Sequence, residues 1–366
     1  MLFSTAVWIK IGMSVLVSFV IALATTPIVR MFAQQVGAID VPTEARRVHD
    51  HPIPRMGGLA IFFGFIIAVI LFADITNPVK GILIGSIIIV VMGAIDDVMS
   101  LSPLLKLAVQ IVAAAVAIYY GIVIHVVTNP TIANTMFDTG KLAIPLTILW
   151  IVGCTNAVNL IDGLDGLACG VSVISSLTML AVALMVAEGN VAIILAALVG
   201  GCLGFLPYNL HPAKLFMGDT GSQLLGYVLA TVSILGMFKY YAIVTFIVPV
   251  LALAIPLSDT AFAFIRRLLK GQSPFKADRG HFHHRLLDMG LSQKQVVAIL
   301  YSISAIIGLA AVVVASNWGI LRVILAVLAF IIALTLWIFV LRWNHDLHAK
   351  EEHDTSAFDE EDDNSE

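Results

Sequence analysis

The chain has 366 residues, of which 60% are hydrophobic and only 12% are charged, and its mean hydropathy is +1.00. An ordinary soluble domain is about half apolar and about a quarter charged, so this composition excludes a soluble globular protein and a disordered one. The net charge of −4 hides an asymmetry, because residues 342–366 hold ten acidic and two basic side chains, whereas the other 341 residues hold 14 acidic and 18 basic ones.

Apolar segments follow one another along nearly the whole chain. A spanning helix takes about 20 residues, and eleven segments approach this length, at about 5–29, 56–73, 77–95, 103–120, 142–160, 167–187, 190–208, 221–238, 242–265, 296–316 and 320–341. The sequence therefore predicts an all-α polytopic membrane protein with about eleven transmembrane helices. We expect residues 1–341 to form one integral membrane domain and the acidic residues 342–366 to form a disordered cytoplasmic tail.

The basic residues indicate on which side of the membrane each connection lies. When alternate connections are assigned to opposite sides, one side receives 15 Lys and Arg residues and the other receives 5. The side richer in Lys and Arg is cytoplasmic, so the N-terminus is predicted outside and the C-terminus inside. The predicted inner connections also hold the dense polar clusters, at residues 40–58, 96–106, 156–166, 208–222 and 266–287. This distribution predicts an active site on the cytoplasmic face.

Two adjacent carboxylates, Asp96 and Asp97, end the third apolar segment. Such a pair is costly near a membrane unless a cation or a proton intervenes, although two solvated loop carboxylates are the plainer alternative. Ser102 and Pro103 have the pattern of an N-cap and a first helical residue. Lys106 then falls in the first turn of the next helix, where it either faces the same interface or extends toward water.

The most informative stretch closes the fifth apolar segment. Its polar residues recur at every third position and would cover one broad face of a helix: Asn156, Asn159, Asp162 and Asp165. Gly163 and Gly166 are expected to end the helix there and to expose backbone N–H groups. Polar side chains at the end of an apolar helix are costly without a partner, which favours a binding site over a plain helix end.

Two further clusters follow toward the C-terminus. Asn209, Phe216 and Asp219 lie in a stretch rich in Pro and Gly, and Asp219 directly precedes the eighth apolar segment. An anion there would be favoured by the exposed N–H groups of the helix, although a plain N-cap is the alternative.

The longest basic connection contains Arg279, His281, His283 and His284. Imidazole groups can bind a metal, donate to phosphate or be solvated. No cysteine is nearby to complete a zinc site, so phosphate contact fits the surrounding cations better.

Carboxylates and amides without thiolates favour a hard cation such as Mg²⁺, for which Mn²⁺ can substitute. With basic residues around it, such a site indicates phosphoryl transfer at the membrane face, with a lipid as the second substrate. A secondary transporter is an alternative from another class, although its site usually lies near the midplane between repeats. An intramembrane aspartyl protease is disfavoured because its Gly-x-Gly-Asp motif is replaced by Phe216-Met217-Gly218-Asp219.

Five segments, in order along residues 20–295, resemble the motif set of the polyprenyl-phosphate N-acetylhexosamine-1-phosphate transferases. They read PIPRMGG, GAIDD, NAVNLIDGLDG, NLHPAKLFMGDTGS and RGHFHHRL. The pattern is most similar to the bacterial undecaprenyl-phosphate N-acetylglucosaminyl-1-phosphate transferases, which begin teichoic acid and O-antigen synthesis. The resemblance implies that undecaprenyl phosphate attacks the β-phosphorus of UDP-N-acetylglucosamine and that UMP leaves. It also implies a multi-pass protein of the bacterial plasma membrane, with no nucleic acid partner; a homodimer is left open.

The resemblance assigns roles to the clustered residues. The implied catalytic residues are Asp96, Asp97, Asp162 and His281, with Asp96 the candidate for deprotonating the lipid phosphate. The implied metal ligands are Asp219, as the main one, and Asp97. The residues expected to bind substrate are Lys106, Asn156, Asn159, Asp165, Asn209, Phe216, Arg279, His283 and His284. Asn209 and Phe216 are expected to hold uridine, and the histidines to contact the diphosphate or the sugar.

The same superfamily contains the phospho-N-acetylmuramoyl-pentapeptide transferases, which are the nearest alternative. The histidine segment typical of that branch looks like a run of three consecutive histidines, whereas in this chain Phe282 separates His281 from His283. The first basic connection, with Arg46, Arg47 and His49 before the PIPRMGG segment, also looks like the N-acetylglucosaminyl branch. The expected donor is therefore UDP-N-acetylglucosamine.

Overall fold

A computed structural model describes residues 3–42, 51–128, 136–236, 242–269 and 282–315, together with Ile324, Val327 and Ile331. The described part is mostly helical, as predicted. Its helices are α1 (Thr5–Gln35), α2 (Gly58–Phe72), α3 (Asn77–Met99), α4 (Pro103–Tyr119), α5 (Ala143–Leu160), α6 (Leu167–Met185), α7 (Gly189–Asn209), α8 (Gly218–Gly236), α9 (Ala242–Ala252), α10 (Ala254–Leu269), α11 (Phe282–Asp288) and α12 (Gln293–Ala315). Two small antiparallel ladders accompany them: β1 (Ile39–Asp40) pairs with β2 (Ile53–Pro54), and β3 (Val126–Thr128) pairs with β4 (Met136–Asp138).

Six helical segments within the described residues are long and apolar enough to cross a membrane: Thr5–Gln35, Asn77–Met99, Gly140–Leu160, Leu167–Met185, Gly189–Asn209 and Gln293–Ala315. Two shorter apolar helices, α2 and α4, lie among them. The chain is therefore a multi-pass membrane protein. The eleven spans and the sides of the two termini remain predictions. The expected last span, over 320–341, and the acidic tail lie outside the described residues except for three positions.

The predicted span over 242–265 is divided in the structure. Helix α9 ends at Ala252 and α10 begins at Ala254. Pro256 has no N–H group, so it cannot bond to the carbonyl of Ala252 as a helical residue would. The hydroxyl of Ser175 on α6 donates to that carbonyl instead. A neighbouring helix thus satisfies the freed backbone group, as a break inside an apolar environment requires.

Helix α8 occupies the centre of the bundle. Every residue from Thr220 to Ile234 is buried, and α8 packs against α2, α3 and α5. The contact with α3 is so close at Gly93 that a Cβ there would collide with the backbone of Thr220. Because other helices surround α8, its Thr, Ser and Gln side chains find protein partners. Its first turn, with Asp219, is thereby held in the middle of one end of the bundle.

The connections between helices lie at two opposite ends of the bundle. At one end, Lys10 Nζ lies 3.4 Å from an oxygen of Asp74. Asp74 also exchanges two hydrogen bonds with the side chain of Asn190. Helices α2 and α3 begin or end there, and their opposite termini lie beside Asp97 and Asp219. The five polar connections singled out in the sequence contribute to that second end.

Candidate active site

A cavity of about 330 Å³ opens at the second end of the bundle. All five predicted polar connections contribute to its wall. The lining residues are Asp40, Arg55, Asp97, Asn159, Asp162, Gly163, Leu164, Asp165, Asn209, Phe216, Gly218, Asp219, His284 and Gln293. The wall therefore combines carboxylates, amides, a guanidinium group and an imidazole around one volume.

Asp219 is a cavity carboxylate that is held by donors from three different helices. Three donors from three helices converge on its Oδ2: Lys106 Nζ at 2.8 Å, Gln223 Nε2 at 2.7 Å and Asn159 Nδ2 at 3.3 Å. Within the described part of the chain, Oδ1 has no assigned donor. One oxygen is thus held by the protein, while the other remains able to accept a ligand.

Lys106 joins two carboxylates. Its ammonium group lies 2.7 Å from Asp96 Oδ2 and 2.8 Å from Asp219 Oδ2. The other oxygen of Asp96 accepts the backbone N–H of Leu101 at 2.7 Å. Asp96 is buried, and both of its oxygens are engaged. This geometry makes Asp96 a support for Lys106; its role as a base remains a prediction.

Asp97 caps the first turn of α8. Its Oδ1 accepts the N–H of Asp219 at 3.0 Å, and its Oδ2 accepts the N–H of Thr220 at 3.2 Å and the Thr220 hydroxyl at 2.6 Å. Gly218, at φ 71°, lies so close that a Cβ there would meet the Asp97 carboxylate. Unpaired N–H groups at a helix start favour a carboxylate, so Asp97 both completes α8 and faces the cavity.

The end of α5 supplies the opposite wall. Asn159 accepts the hydroxyl of Ser222 at 2.9 Å while its amide donates to Asp219. Burial, together with the neighbouring negative charges of Asp219, Asp97 and Asp165, raises the pKa of Asp162 from its usual 3.8 to about 8. A cation bound nearby would favour the ionised form of this carboxylate and lower its pKa.

Asp165 holds the connection between α7 and α8. Its Oδ2 lies 2.8 Å from His211 Nδ1 and accepts the N–H of Ala213 at 3.0 Å. Asn209 is buried beside this connection and donates to the carbonyl of Leu215 at 3.1 Å. The Oδ1 of Asn209 is buried without a hydrogen-bond partner among the described residues. A buried acceptor of this kind is costly unless a ligand supplies a donor.

The segment before α2 clamps the turn before α8. The N–H of Phe216 donates to the carbonyl of Pro54, and the N–H groups of Gly57 and Gly58 donate to the carbonyls of Phe216 and Met217, each at 2.9 Å. The Arg55 Nε group donates to the carbonyl of Asp97 at 2.8 Å. The PIPRMGG segment therefore positions Phe216 at the cavity and adds a cation to its rim.

The two described histidines of the basic connection have different surroundings, although they are neighbours. His284 lines the cavity, whereas His283 is buried and packs against Gly163. The two rings lie 4.4 Å apart between centroids. Both belong to α11, a short helix that was not predicted, and the N–H of Phe282 at its start donates to Asp259. Arg279 and His281 lie outside the described residues.

Several predicted residues lie behind the cavity wall rather than in it: Asp96, Lys106, Asn156 and His283. Asn156 bonds to Gln110 and to the carbonyl of Val152. The sequence reading missed Gln110, Gln223 and His211. Gln110 follows Lys106 by four residues, and Gln223 follows Asp219 by four, so helical spacing was the available signal for both.

The donor set is compatible with Mg²⁺. Within the described residues, no three His, Cys, Asp or Glu side chains stand together as a ready metal site. Mg²⁺ is usually bound through one or two carboxylates, waters and substrate phosphates rather than by an all-protein cage. Asp219, which lines the cavity and has Oδ1 without a described donor, fits that mode of binding.

Membrane helices that bring carboxylates, amides and cations around one polar cavity define an integral membrane protein with an enzyme-like site at one end of its bundle. A sequence profile described as glycosyl transferase family 4 matches residues 79–237. The relative "Probable undecaprenyl-phosphate N-acetylglucosaminyl 1-phosphate transferase" from Bacillus subtilis is 42% identical over 328 residues, which is 88% of this chain and 90% of the relative. The chain belongs to glycosyl transferase family 4, which confirms the family resemblance read from the five motifs.

Two more distant relatives bear on the substrate. "Decaprenyl-phosphate N-acetylglucosaminephosphotransferase" from Mycobacterium tuberculosis is 38% identical over 308 residues, 76% of each chain. "Phospho-N-acetylmuramoyl-pentapeptide-transferase" from Staphylococcus aureus is 34% identical over 275 residues, 70% of this chain and 83% of the relative. Of these three relatives, the two named for N-acetylglucosamine are the more similar in identity and match a larger share of this chain.

Proposed function

We propose that this protein transfers N-acetylglucosamine-1-phosphate from UDP-N-acetylglucosamine to undecaprenyl phosphate. An oxygen of the lipid phosphate bonds to the β-phosphorus of the donor. The bond between that phosphorus and the bridging oxygen breaks, and UMP leaves with the bridging oxygen and its electron pair. The lipid product is undecaprenyl-diphospho-N-acetylglucosamine.

The observation that carries this proposal is the convergence on Asp219. One carboxylate is held by groups from α4, α5 and α8, and it faces a polar cavity among membrane helices. Phosphoryl transfer depends on positioning and on charge stabilisation more than on a protein nucleophile. A preorganised centre of this kind supports that chemistry.

The cavity offers complementary groups for a uridine diphosphate. The buried Oδ1 of Asn209 can accept the imide N–H of uracil, and the half-buried ring of Phe216 provides a surface for the base. Arg55 and His284 on the rim can donate to phosphate oxygens. The roles of Asn209, Phe216 and His284 are those that the motif resemblance implied, whereas the role of Arg55 comes from its place at the cavity.

Mg²⁺, or Mn²⁺ in its place, is part of the proposal, and Asp219 Oδ1 is the ligand that the geometry favours, with Asp97 as a second candidate. The ion would neutralise the diphosphate charge when bound. The lipid phosphate needs little help from a base, because a phosphate monoester has a second pKa near 6 and is largely ionised at pH 7. Asp96, held by Lys106, is then needed chiefly to orient that lysine.

We further propose about eleven spans, an outside N-terminus, a cytoplasmic C-terminus and an active site on the cytoplasmic face of the bacterial plasma membrane. Residues 1–341 would form the transferase and 342–366 an appended acidic tail. Removing residues 346–366 should leave turnover within about twofold, because changes to solvated segments are usually mild.

The test is a competition assay with purified protein, undecaprenyl phosphate, Mg²⁺, UDP-N-acetylglucosamine and UDP-N-acetylmuramoyl-pentapeptide. We expect lipid-linked N-acetylglucosamine and an equal amount of UMP. The variant Asp219→Asn should form neither product although it still folds, and excess EDTA should abolish both products in the wild-type protein. Preferential transfer of the peptide-bearing sugar would assign the protein to the other branch. Uptake of a solute without UMP release would instead support a transporter.

A further inference from the structure

Three side-chain amides form a continuous hydrogen-bonded chain that ends on Asp219. Asn156 Nδ2 donates to Gln110 Oε1 at 2.7 Å, Gln110 Nε2 donates to Gln223 Oε1 at 2.9 Å, and Gln223 Nε2 donates to Asp219 Oδ2 at 2.7 Å. The three amides, here called the amide relay, come from α5, α4 and α8. Gln110 and Gln223 are 2% and 0% exposed, and neither they nor Asn156 line the cavity.

The donor-to-acceptor direction of the amide relay is determined at both of its ends. Asn156 Nδ2 also donates to the carbonyl of Val152 at 2.8 Å, which can only accept. At the other end, an ionised Asp219 can only accept as well. The remaining proton of the Gln110 amide points to Asn156 Oδ1 at 3.3 Å. Each amide therefore has one orientation that satisfies its neighbours, and reversing any of them would oppose two donors or two acceptors.

We infer that the amide relay is a positioning device for Asp219. It holds Oδ2 toward α4 and α5, which leaves Oδ1 directed to the cavity for a divalent cation. The inference rests on the proposed function for its metal and its reaction, and it assigns Gln110, Gln223 and Asn156 to work through Asp219 without touching substrate. Asn156 thereby receives a positioning role in place of the substrate contact expected from sequence.

The alternative is that the relay only joins helices, as buried polar groups often do in membranes. The chain offers a matched control for that possibility. Trp150 Nε1 on α5 donates to Ser233 Oγ on α8 at 3.1 Å, and Ser233 is buried. This bond joins two of the relay's three helices but ends on no cavity residue. Ser233→Ala thus removes an interhelical hydrogen bond without altering Asp219.

The experiment compares Gln110→Leu, Gln110→Glu, Asn156→Leu and Ser233→Ala in detergent. Mn²⁺ binding is measured by electron paramagnetic resonance without donor or lipid, and melting temperature and kcat are measured alongside. Groups that orient a metal ligand typically change metal affinity or activity by about 10- to 100-fold when removed. We expect losses of that size in Mn²⁺ affinity and kcat for Gln110→Leu, a smaller loss for Asn156→Leu, and wild-type values for Ser233→Ala. Gln110→Glu should bind Mn²⁺ no better than Gln110→Leu, because an ionised carboxylate cannot donate to Gln223.

Wild-type Mn²⁺ affinity and kcat in folded Gln110→Leu or, if that variant does not fold, in Asn156→Leu would overturn the inference. So would a wild-type protein that binds no Mn²⁺. A wild-type protein that binds Mn²⁺ but transfers no sugar phosphate would contradict the proposed function alone. In that case the Mn²⁺ affinities of the variants would still decide whether the relay positions Asp219.

Discussion

The carboxylate of Asp97 accepts the hydroxyl of Thr220 at 2.6 Å, so the last turn of α3 closes the first turn of α8. Two backbone N–H groups of α8 donate to the same carboxylate. Sequence alone suggested a catalytic or metal-binding acid at this position. The structure adds a helix cap to that role, and the cap holds the first turn of α8, which carries Asp219.

Removing the Thr220 hydroxyl should weaken the site. Thr220→Val is expected to cost about 1 kcal/mol, the usual value of one buried hydrogen bond, and to lower kcat about fivefold if the whole loss reaches the transition state. Melting temperature and turnover in detergent are the measurements. Thr231→Val is the control, since that hydroxyl donates to carbonyls of α8 itself, at Tyr227 and Val228. Equal effects of the two variants on turnover would refute a link between the cap and the chemistry.

Stability should depend on pH through Asp162. Its pKa in the folded protein is about 8 against a usual 3.8, so between these values the folded state binds more protons than the unfolded state. Stability of the metal-free protein should therefore fall as pH rises through this window. Asp162→Asn should flatten the dependence of melting temperature on pH.

Asp74→Asn serves as the control for this experiment, because Asp74 is exposed at the opposite end of the bundle. It should leave the pH dependence as in the wild type. A wild-type protein whose melting temperature rises steadily from pH 4 to pH 8 would contradict the assignment to Asp162.

His211 should act on donor binding more than on turnover. It holds Asp165, which in turn holds the N–H of Ala213 in the connection that carries Phe216. His211→Ala should raise the KM for UDP-N-acetylglucosamine about fivefold, the equivalent of about 1 kcal/mol, with kcat little changed. His211→Asn should restore KM, because its amide can replace Nδ1. The exposed Lys214 in the same connection supplies the control Lys214→Ala, and an unchanged KM in His211→Ala would argue against this role.

Labelling from each side of the membrane tests the proposed topology. The native cysteines Cys154, Cys169 and Cys202 are free and buried, so single cysteines can be added at exposed positions. Lys141→Cys should react with an impermeant maleimide in intact cells. Lys214→Cys should react only after permeabilisation. The reverse pattern would place the cavity on the outer face and remove the proposed access to a cytosolic nucleotide.

Much of the site could be predicted because its residues lie at helix ends. Hydropathy marks where an apolar helix stops, and a costly polar residue at that point needs a partner. This reasoning placed Asp96, Asp97, Asn159, Asp162 and Asp219 near one end of the bundle, and all five lie there. The five motifs also indicated the family that the relatives confirm.

The partners of these residues were decided by tertiary structure. Gln110 and Gln223 are 113 positions apart, and His211 lies 46 positions from Asp165. Periodicity reports which face of one helix a residue occupies, but not which helix packs against that face. For that reason Asn156 looked like a wall residue, since it shares its spacing with Asn159 and Asp162, while α4 and its Gln110 turn it away from the cavity. The sequence determined the helices and the end that carries chemistry; only the packing of α4, α5 and α8 decided which oxygen of Asp219 is held and which is left for a ligand.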